Sequence, residues 1–505
     1  MRLYRQSFII LSLLSSVAFL NKSSAQLCQG SLGDPVVKIT FGSGSNPGPP
    51  LTTRLTNYQF VTKDCPDDGF YTIENSTSNC FGDTWYSVSE DHTPGDVNGY
   101  MMVINASFNP GDFYVQKVDG LCENTTYEFA AWILNVLNLS ACPSPQTPIS
   151  PNVTFNIETT SGAILQTYNT GDILRGSPSW KQYGLFFKTP AGVTSVVIRM
   201  TNNAPGGCGN DLLLDDITFR PCGPLVTAII NDTATSVDVC KGNPSSFTLT
   251  SNVSAGYDNP VYQWQSSTDS GITWTDIAGA NTTSYLRLAN NIPGAYQYRL
   301  AVAQGNNISV PSCRVVSNVV TVNVNPIPIP AATNTGPGCT GKMLTLEAAQ
   351  GTIFSWIGPN GFASNDQNPI IQNAVLNDNG RYYVNVVSDK GCVNKDSTDV
   401  TIYISPVVSA SGDAEICEGK STQLSSTGSN ILSYTWNPSI SLSDNHISNP
   451  VASPTETTLY ILKATNNSCN DYDSVIVKVD KKPTADAGPD KIIIRGQSAI
   501  LHGVA

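Results

Sequence analysis

Charge is scarce in this sequence: Lys, Arg, Asp and Glu make up 13% of its 505 residues, against about 25% in an average soluble chain. Histidine is rarer still. Its three residues, His92, His446 and His502, lie far apart along the chain, which excludes a multi-histidine metal site within one domain. Helical periodicity is missing beyond the extreme N-terminus, so helix-based folds are excluded as well. No HExxH, no GxSxG and no phosphate-cradling glycine loop occurs, and nothing else reads as an enzyme. The carboxylates of Asp64, Asp67, Asp68, Glu90, Asp91 and Asp96 read as solvated loop groups rather than a sugar-cleaving pair. The net charge of −12 argues against nucleic acid as a partner, since phosphate binding needs a basic footprint. No apolar run after the N-terminus is long enough for a transmembrane anchor.

What replaces the missing charge is Thr, Ser, Asn, Gly and Pro, the vocabulary of short strands and turns. The fold class expected is all-β, and the length implies three to five domains at roughly 100 to 200 residues each. The first 25 residues read as a signal peptide: Arg2 and Arg5, an apolar core over 8–20, then Ser23-Ser24-Ala25. Export makes the 13 cysteines candidates for disulfides rather than for catalytic thiols. Seven fall in the first domain: Cys28, Cys65, Cys80, Cys122, Cys142, Cys208 and Cys222. If its first and last strands are neighbours, Cys28 joins Cys222. Cys65 with Cys80 would close a local loop and Cys142 with Cys208 would tie two long ones, which leaves Cys122 over. The other six sort one pair to a repeat, as Cys240 with Cys313, Cys339 with Cys392 and Cys417 with Cys469.

The first domain, 26–223, reads as strands at 36–41, 57–62, 69–73, 100–105, 111–118, 126–135, 152–159, 182–189, 195–202 and 212–219, a sandwich or jelly roll. Its closing stretch, NNAPGGCGNDLLLDDITFRPCGP over 202–224, organises the rest. Strict alternation along that strand puts Leu213, Asp215, Ile217 and Phe219 on one face. A carboxylate in that company needs a cation or a hydrogen-bonding partner. Met101 and Met102 read as core filling, and Trp132 as a core residue within an apolar strand. Trp85 and Tyr86, in a loop after Cys80, are the first choice for an exposed aromatic platform.

After residue 223 the chain repeats itself. Residues 224–325, 326–404 and 405–480 each carry an early cysteine, a central tryptophan (Trp264, Trp356, Trp436) and a late cysteine, an Ig-like rhythm. Tyr382 stands in the position of a tyrosine corner. Residues 481–505 open like a PKD repeat and stop before a sandwich could close, which implies a fragment of a longer protein.

Several phrases carry a family resemblance: HTPGD at 92–96, NGYMMV at 98–103, YEFAAW at 127–132, YNTGDI at 168–173 and WKQYG at 180–184. They resemble the N-terminal module of large secreted surface proteins of Bacteroidota. In that family a galactose-binding-like, carbohydrate-binding jelly roll precedes strings of Ig-like or PKD repeats. The resemblance implies export, display at the bacterial cell surface or release, and a type IX secretion signal beyond this sequence. It also implies a glycan or extracellular protein ligand. The candidate contacts are Trp85, Tyr86, Asp96, Asn98 and Tyr100. A structural calcium is expected at Asp215 and Asp216, with Asn210-Asp211 as a further contributor. A hydrogen-bonded Asp215 is the alternative. The function expected is adhesion, with the repeats as spacer; the alternatives are a structural stalk without a glycan ligand and an accessory region to an enzyme beyond residue 505.

Overall fold

The computed structural model describes residues 27–52, 54–243 and 245–504; the leader expected over 1–25 lies outside them. Among the described residues the chain is all-β, with only short 3-10 turns between strands. It divides into two compact units. One takes in the chain to Val237 together with Pro244–Asn290 and Gly294–Asn323, and the other takes in Asp238–Asn243, Asn291–Pro293 and Val324–Ala505.

The first sandwich is built from β1 (Ser31–Leu32), β2 (Val37–Ile39), β3 (Gln59–Phe60), β4 (Phe70–Glu74), β5 (Met101–Ile104), β6 (Gly111–Asp119), β7 (Thr126–Asn135), β8 (Asn152–Glu158), β9 (Ile164–Asp172), β10 (Lys181–Lys188), β11 (Ser195–Asn202) and β12 (Leu212–Gly223). Sequence periodicity missed β9, because only Tyr168 of this polar edge strand is buried. One sheet runs β10-β7-β12-β5-β4-β3, with β1 and β2 also on β12, and the other runs β6-β11-β8-β9. From β5 onward the chain crosses between the two sheets in jelly-roll order. The core lies where Tyr127, Phe129, Ala131 and Ile133 of β7 meet Phe155, Ile157, Val196 and Ile198 of the facing sheet. A second, smaller core lies on the outer side of the larger sheet. There Cys80, Trp85 and Val88 pack on Met101, Val103, Leu134 and Leu213.

β12 does not alternate as expected. Its register against β7 shifts between Asp215 and Thr218, and Asp216 adopts the left-handed φ of 46°, so one extra residue is accommodated as a bulge. The bulge exchanges the faces. Leu212, Leu214, Ile217 and Phe219 all reach the main core, while Leu213 belongs to the outer one. Asp215 therefore shares a face with Leu213, not with Ile217 and Phe219.

Disulfides expected within the first sandwich form: Cys28–Cys222, Cys65–Cys80 and Cys142–Cys208. The pairs assigned one to a repeat do not. Cys122, left over in the sequence, bonds Cys313, Cys240 bonds Cys392 and Cys339 bonds Cys469, while Cys417 is free and exposed. Geometry explains the correction. Cys417 pairs in register with Asp480, at the far end of the strand Cys469–Asp480 from Cys469, about 37 Å away at about 3.4 Å per residue. A disulfide tolerates Cα separations only up to about 7 Å. Cys339 and Cys392 are likewise held apart, at opposite ends of the hairpin Gly380–Val387 and Val393–Val400.

Each repeat is a sandwich around its tryptophan. Trp264, Trp356 and Trp436 are almost fully buried, and their indole N–H groups donate to Thr282 O, Gln367 O and Ile447 O. Tyr382 donates to Asp378 O at 2.9 Å, the bond of a tyrosine corner.

Within the first unit the first sandwich is fixed to the sandwich that follows it. Around Cys122–Cys313, Tyr127 Oη donates to Ser312 O and Ser312 Oγ to Gly120 O, while Asn307 Nδ2 donates to Glu123 O and Thr125 Oγ1. Nearby, the Arg299 guanidinium forks onto both oxygens of Asp34, donates through Nε to Gln265 Oε1 at 2.8 Å and lies 4.2 Å over the Trp274 ring. Arg299→Ala is expected to cost about 1–3 kcal/mol and to loosen this junction. Urea unfolding of the chain measures the cost, and an unchanged midpoint would show that the arginine fork is idle.

A hollow and a buried acid at the bulge

β5 borders β12 only over Leu212–Leu214 and β2 only over Ile217–Phe219, so at Asp215 and Asp216 the strand changes neighbour. The loop after β4 fills the gap. The His92 backbone N–H donates to Asp215 Oδ2 at 2.8 Å, and His92 Nδ1 stands 2.8 Å from Asp216 Oδ2. Thr93 Oγ1 donates to Asp216 Oδ1 at 3.1 Å. The imidazole stacks on Trp132 at 3.6 Å and meets Trp180 edge-on at 6.1 Å. Trp132, expected in the core, is on the outer face and half-buried beneath His92, because the core positions of β7 are its odd-numbered residues.

Beside this stack a hollow of about 200 Å³ opens, lined by Ser87, Ser89, Glu90, Asp91, Pro178 and Trp180 among others. Ser87, Ser89 and Glu90 are exposed and Trp180 is partly so. The fold, by bringing the end of the loop before β10 against the 86–91 segment, places Trp180 on a wall.

Two of the candidate contacts are buried. Trp85 is 3% exposed and its Nε1 donates to Asp211 Oδ2 at 3.1 Å; it is a plug of the outer core, not a platform. Tyr100 is buried and donates to Ser45 O. Tyr86 is half-buried, its hydroxyl accepting from the Leu139 N–H. Asp96 is half-buried in a turn closed onto Thr93 O, and Asn98 is exposed. Met101 and Met102 are both core residues, at 0% exposure.

The expected calcium ligands are engaged otherwise. Asp216 is taken up by His92 and Thr93. Asn210 bonds Asn202, Ala204 O and Pro205 O, and Asp211 accepts from Trp85 and from the Ala106 N–H. Asp215 Oδ1 and Asp91 Oδ2 are buried without a hydrogen-bond partner, as a cation ligand would be. Yet no three His, Cys, Asp or Glu side chains among the described residues gather as a metal set. Protonation would meet the same need without a cation. Burial pushes the Asp215 carboxyl up to about 8, with the neighbouring Asp216 and Asp91 charges adding to it. Burial likewise lifts Asp211 to about 7 against the hydrogen bonds from Ala106 and Trp85, and raises Asp91.

Residues 328–406 match the family model of the Ig-like domain CHU_C associated. Residues 230–326 match a domain of unknown function, DUF8696. No curated protein matches the chain. Solved structures that resemble it include Sidekick-1 immunoglobulin domains 1-5, at 10% identity over 90% of this chain and all of that one, with a TM-score of 0.28. A titin I-band fragment, I67-I69, gives 12% over 51% of this chain and 99% of that one, also at 0.28. Drosophila OTK extracellular domains 3-5 give 12% over 48% and 94%, at 0.22. At such scores they carry no functional argument. The chain is an array of Ig-like, disulfide-joined domains behind a two-sheet sandwich, and among the described residues no helix is long and apolar enough to cross a membrane.

Two outcomes test the site. Trp85→Ala is expected to lower stability by about 3–5 kcal/mol through cavity formation, seen as a fall in the unfolding midpoint; a fall under about 1 kcal/mol would return Trp85 to the surface. Asp215 and Asp211 have folded pKa values above the unfolded value near 4, so the folded state keeps protons that the unfolded state has lost. Stability is therefore full below about pH 4 and declines as the pH rises through about 7 to 8. Asp215→Asn is expected to remove its share of that slope, up to ~1.4 kcal/mol per pH unit, in urea titrations between pH 5 and 8.5. An identical slope in the variant would contradict a buried proton there.

Proposed function

We propose that this is an extracellular adhesion protein whose first sandwich binds glycan in the hollow against Trp180, with the Ig-like domains as spacer. The hollow carries the proposal. Trp180 supplies a partly exposed aromatic face, on which the C–H face of a sugar ring packs. Ser87, Ser89 and Glu90, beside it, supply donors and acceptors for sugar hydroxyls. Its volume suits one sugar ring, so a chain end or a single residue along a chain would be gripped. Disulfides on this scale belong to an oxidising compartment, which supports secretion or surface display. The resemblance of the 92–103 and 168–184 segments to bacterial surface modules favours sugar over protein as the ligand.

Trp180→Ala should weaken binding to a responsive glycan at least tenfold, about 1.4 kcal/mol, measured where the variant, which loses some packing on the outer core, is still folded. Glycan-array binding of the whole chain, with and without a calcium chelator, makes the measurement. Undiminished binding by Trp180→Ala would remove the hollow as the site. An absence of binding to every glycan, beside capture of a surface protein, would favour a protein-contact module. Loss of binding on chelation would restore the calcium expectation.

A further inference from the structure

Three cysteines, each at the head of a repeat, occupy the same local structure. Cys240, Cys339 and Cys417 each end a short strand, and each carbonyl accepts from the backbone N–H three residues on, of Asn243, Lys342 and Lys420. In each turn a glycine with left-handed φ follows two residues after the cysteine: Gly242 at 87°, Gly341 at 78° and Gly419 at 79°. In each, the residue after the cysteine donates its N–H to the carbonyl that closes the last strand of the same repeat, Asn325, Tyr403 and Asp480, at 2.8 to 2.9 Å. The cysteine thus marks the end of a sandwich from which the chain departs for the next.

Two of the three are bonded, both to the same kind of mate. Cys240 takes Cys392, which closes the turn between Gly380–Val387 and Val393–Val400, and Cys339 takes Cys469, at the turn between Thr458–Asn466 and Cys469–Asp480. Each mate lies in the repeat that comes next in the chain, and each mate is buried, at 0% and 1% exposure. The turn at Cys469 also grips the departing segment, Asn466 Nδ2 donating to Ile404 O at 2.9 Å. Cys417 has the turn, the glycine and the strand-end contact of its siblings, but is exposed and free, and all the other cysteines of the sequence are used.

We infer that Cys417 is the exit half of one more inter-domain disulfide, and that its mate is a hairpin-turn cysteine of an Ig-like domain lying beyond residue 505 in the same polypeptide. The bond forms by exchange. The Cys417 thiolate attacks a sulfur of an oxidising protein disulfide, expelling one thiolate, and the mate's thiolate then displaces the second. Two protein thiols become one disulfide, and the oxidant's disulfide becomes two thiols. The inference rests on the two inter-domain bonds at Cys240 and Cys339 and not on the sugar proposal, so either can fail alone.

The polypeptide isolated from its source, alkylated under denaturing conditions and digested without reduction, gives the test. The peptide holding Cys417 is expected in disulfide linkage with a peptide from beyond residue 505 whose cysteine lies in a hairpin turn. An alkylated Cys417, a bond between two copies of Cys417, or a bond to a small thiol would each overturn the inference. The 505-residue chain by itself supplies a second readout. It should bind one equivalent of a maleimide while folded, and none in Cys417→Ser, whose unfolding midpoint should match the parent's because the residue is exposed. Labelling that persists in Cys417→Ser would show that another cysteine is the free one.

Discussion

Everything in this protein depends on where its cysteines are allowed to sit. The repeats keep a buried central tryptophan, as antibody domains do, but place their cysteines at the two ends of the sandwich rather than across its centre. Cysteines at opposite ends of one sandwich cannot meet, but the exit end of one repeat and the entry hairpin of the next can. Disulfides that would have stabilised single domains therefore join domains. Cys122–Cys313 spans 191 residues of sequence, a closure worth about 5 kcal/mol in the chain-entropy picture, and it does so between two sandwiches. The bonds at Arg299 and Ser312 then need only orient a junction that is already covalent.

The same economy of space shapes the first sandwich. Its larger sheet carries a core on both faces, so the segment between β4 and β5 has to lie flat over the outer one, and Trp85 is consumed in doing so. What remains available at the edge of that layer is Trp180. The bulge at Asp215 is the counterpart on the strand itself: one additional residue turns a carboxylate away from the main core and into the outer layer, where the His92 backbone N–H meets it.

Much of this was legible in the sequence, and for identifiable reasons. The strands of the first domain, the central place of 212–223, the buried methionines and the tryptophan of each repeat all announce themselves through apolar alternation and spacing. The polar strand β9 did not, because an edge strand with a single buried side chain leaves no period to detect. The faces of β12 were misread because a bulge shifts alternation without any glycine or proline to mark it; the pair Asp215-Asp216 was the available signal. Cysteine pairing failed in the repeats for a different reason. One early and one late cysteine per repeat is compatible with pairing inside or between repeats, and only strand lengths and register tell them apart. Sequence does not state burial, and burial is what makes Trp85 a plug and leaves Trp180 partly exposed.

The central claim is that neighbouring domains are joined by staggered disulfides, and a non-reducing peptide map of the 505-residue chain tests it most directly. The account predicts the linked pairs Cys122–Cys313, Cys240–Cys392 and Cys339–Cys469. Linkage of Cys240 to Cys313, Cys339 to Cys392 and Cys417 to Cys469 would contradict it, returning each bond to a single repeat.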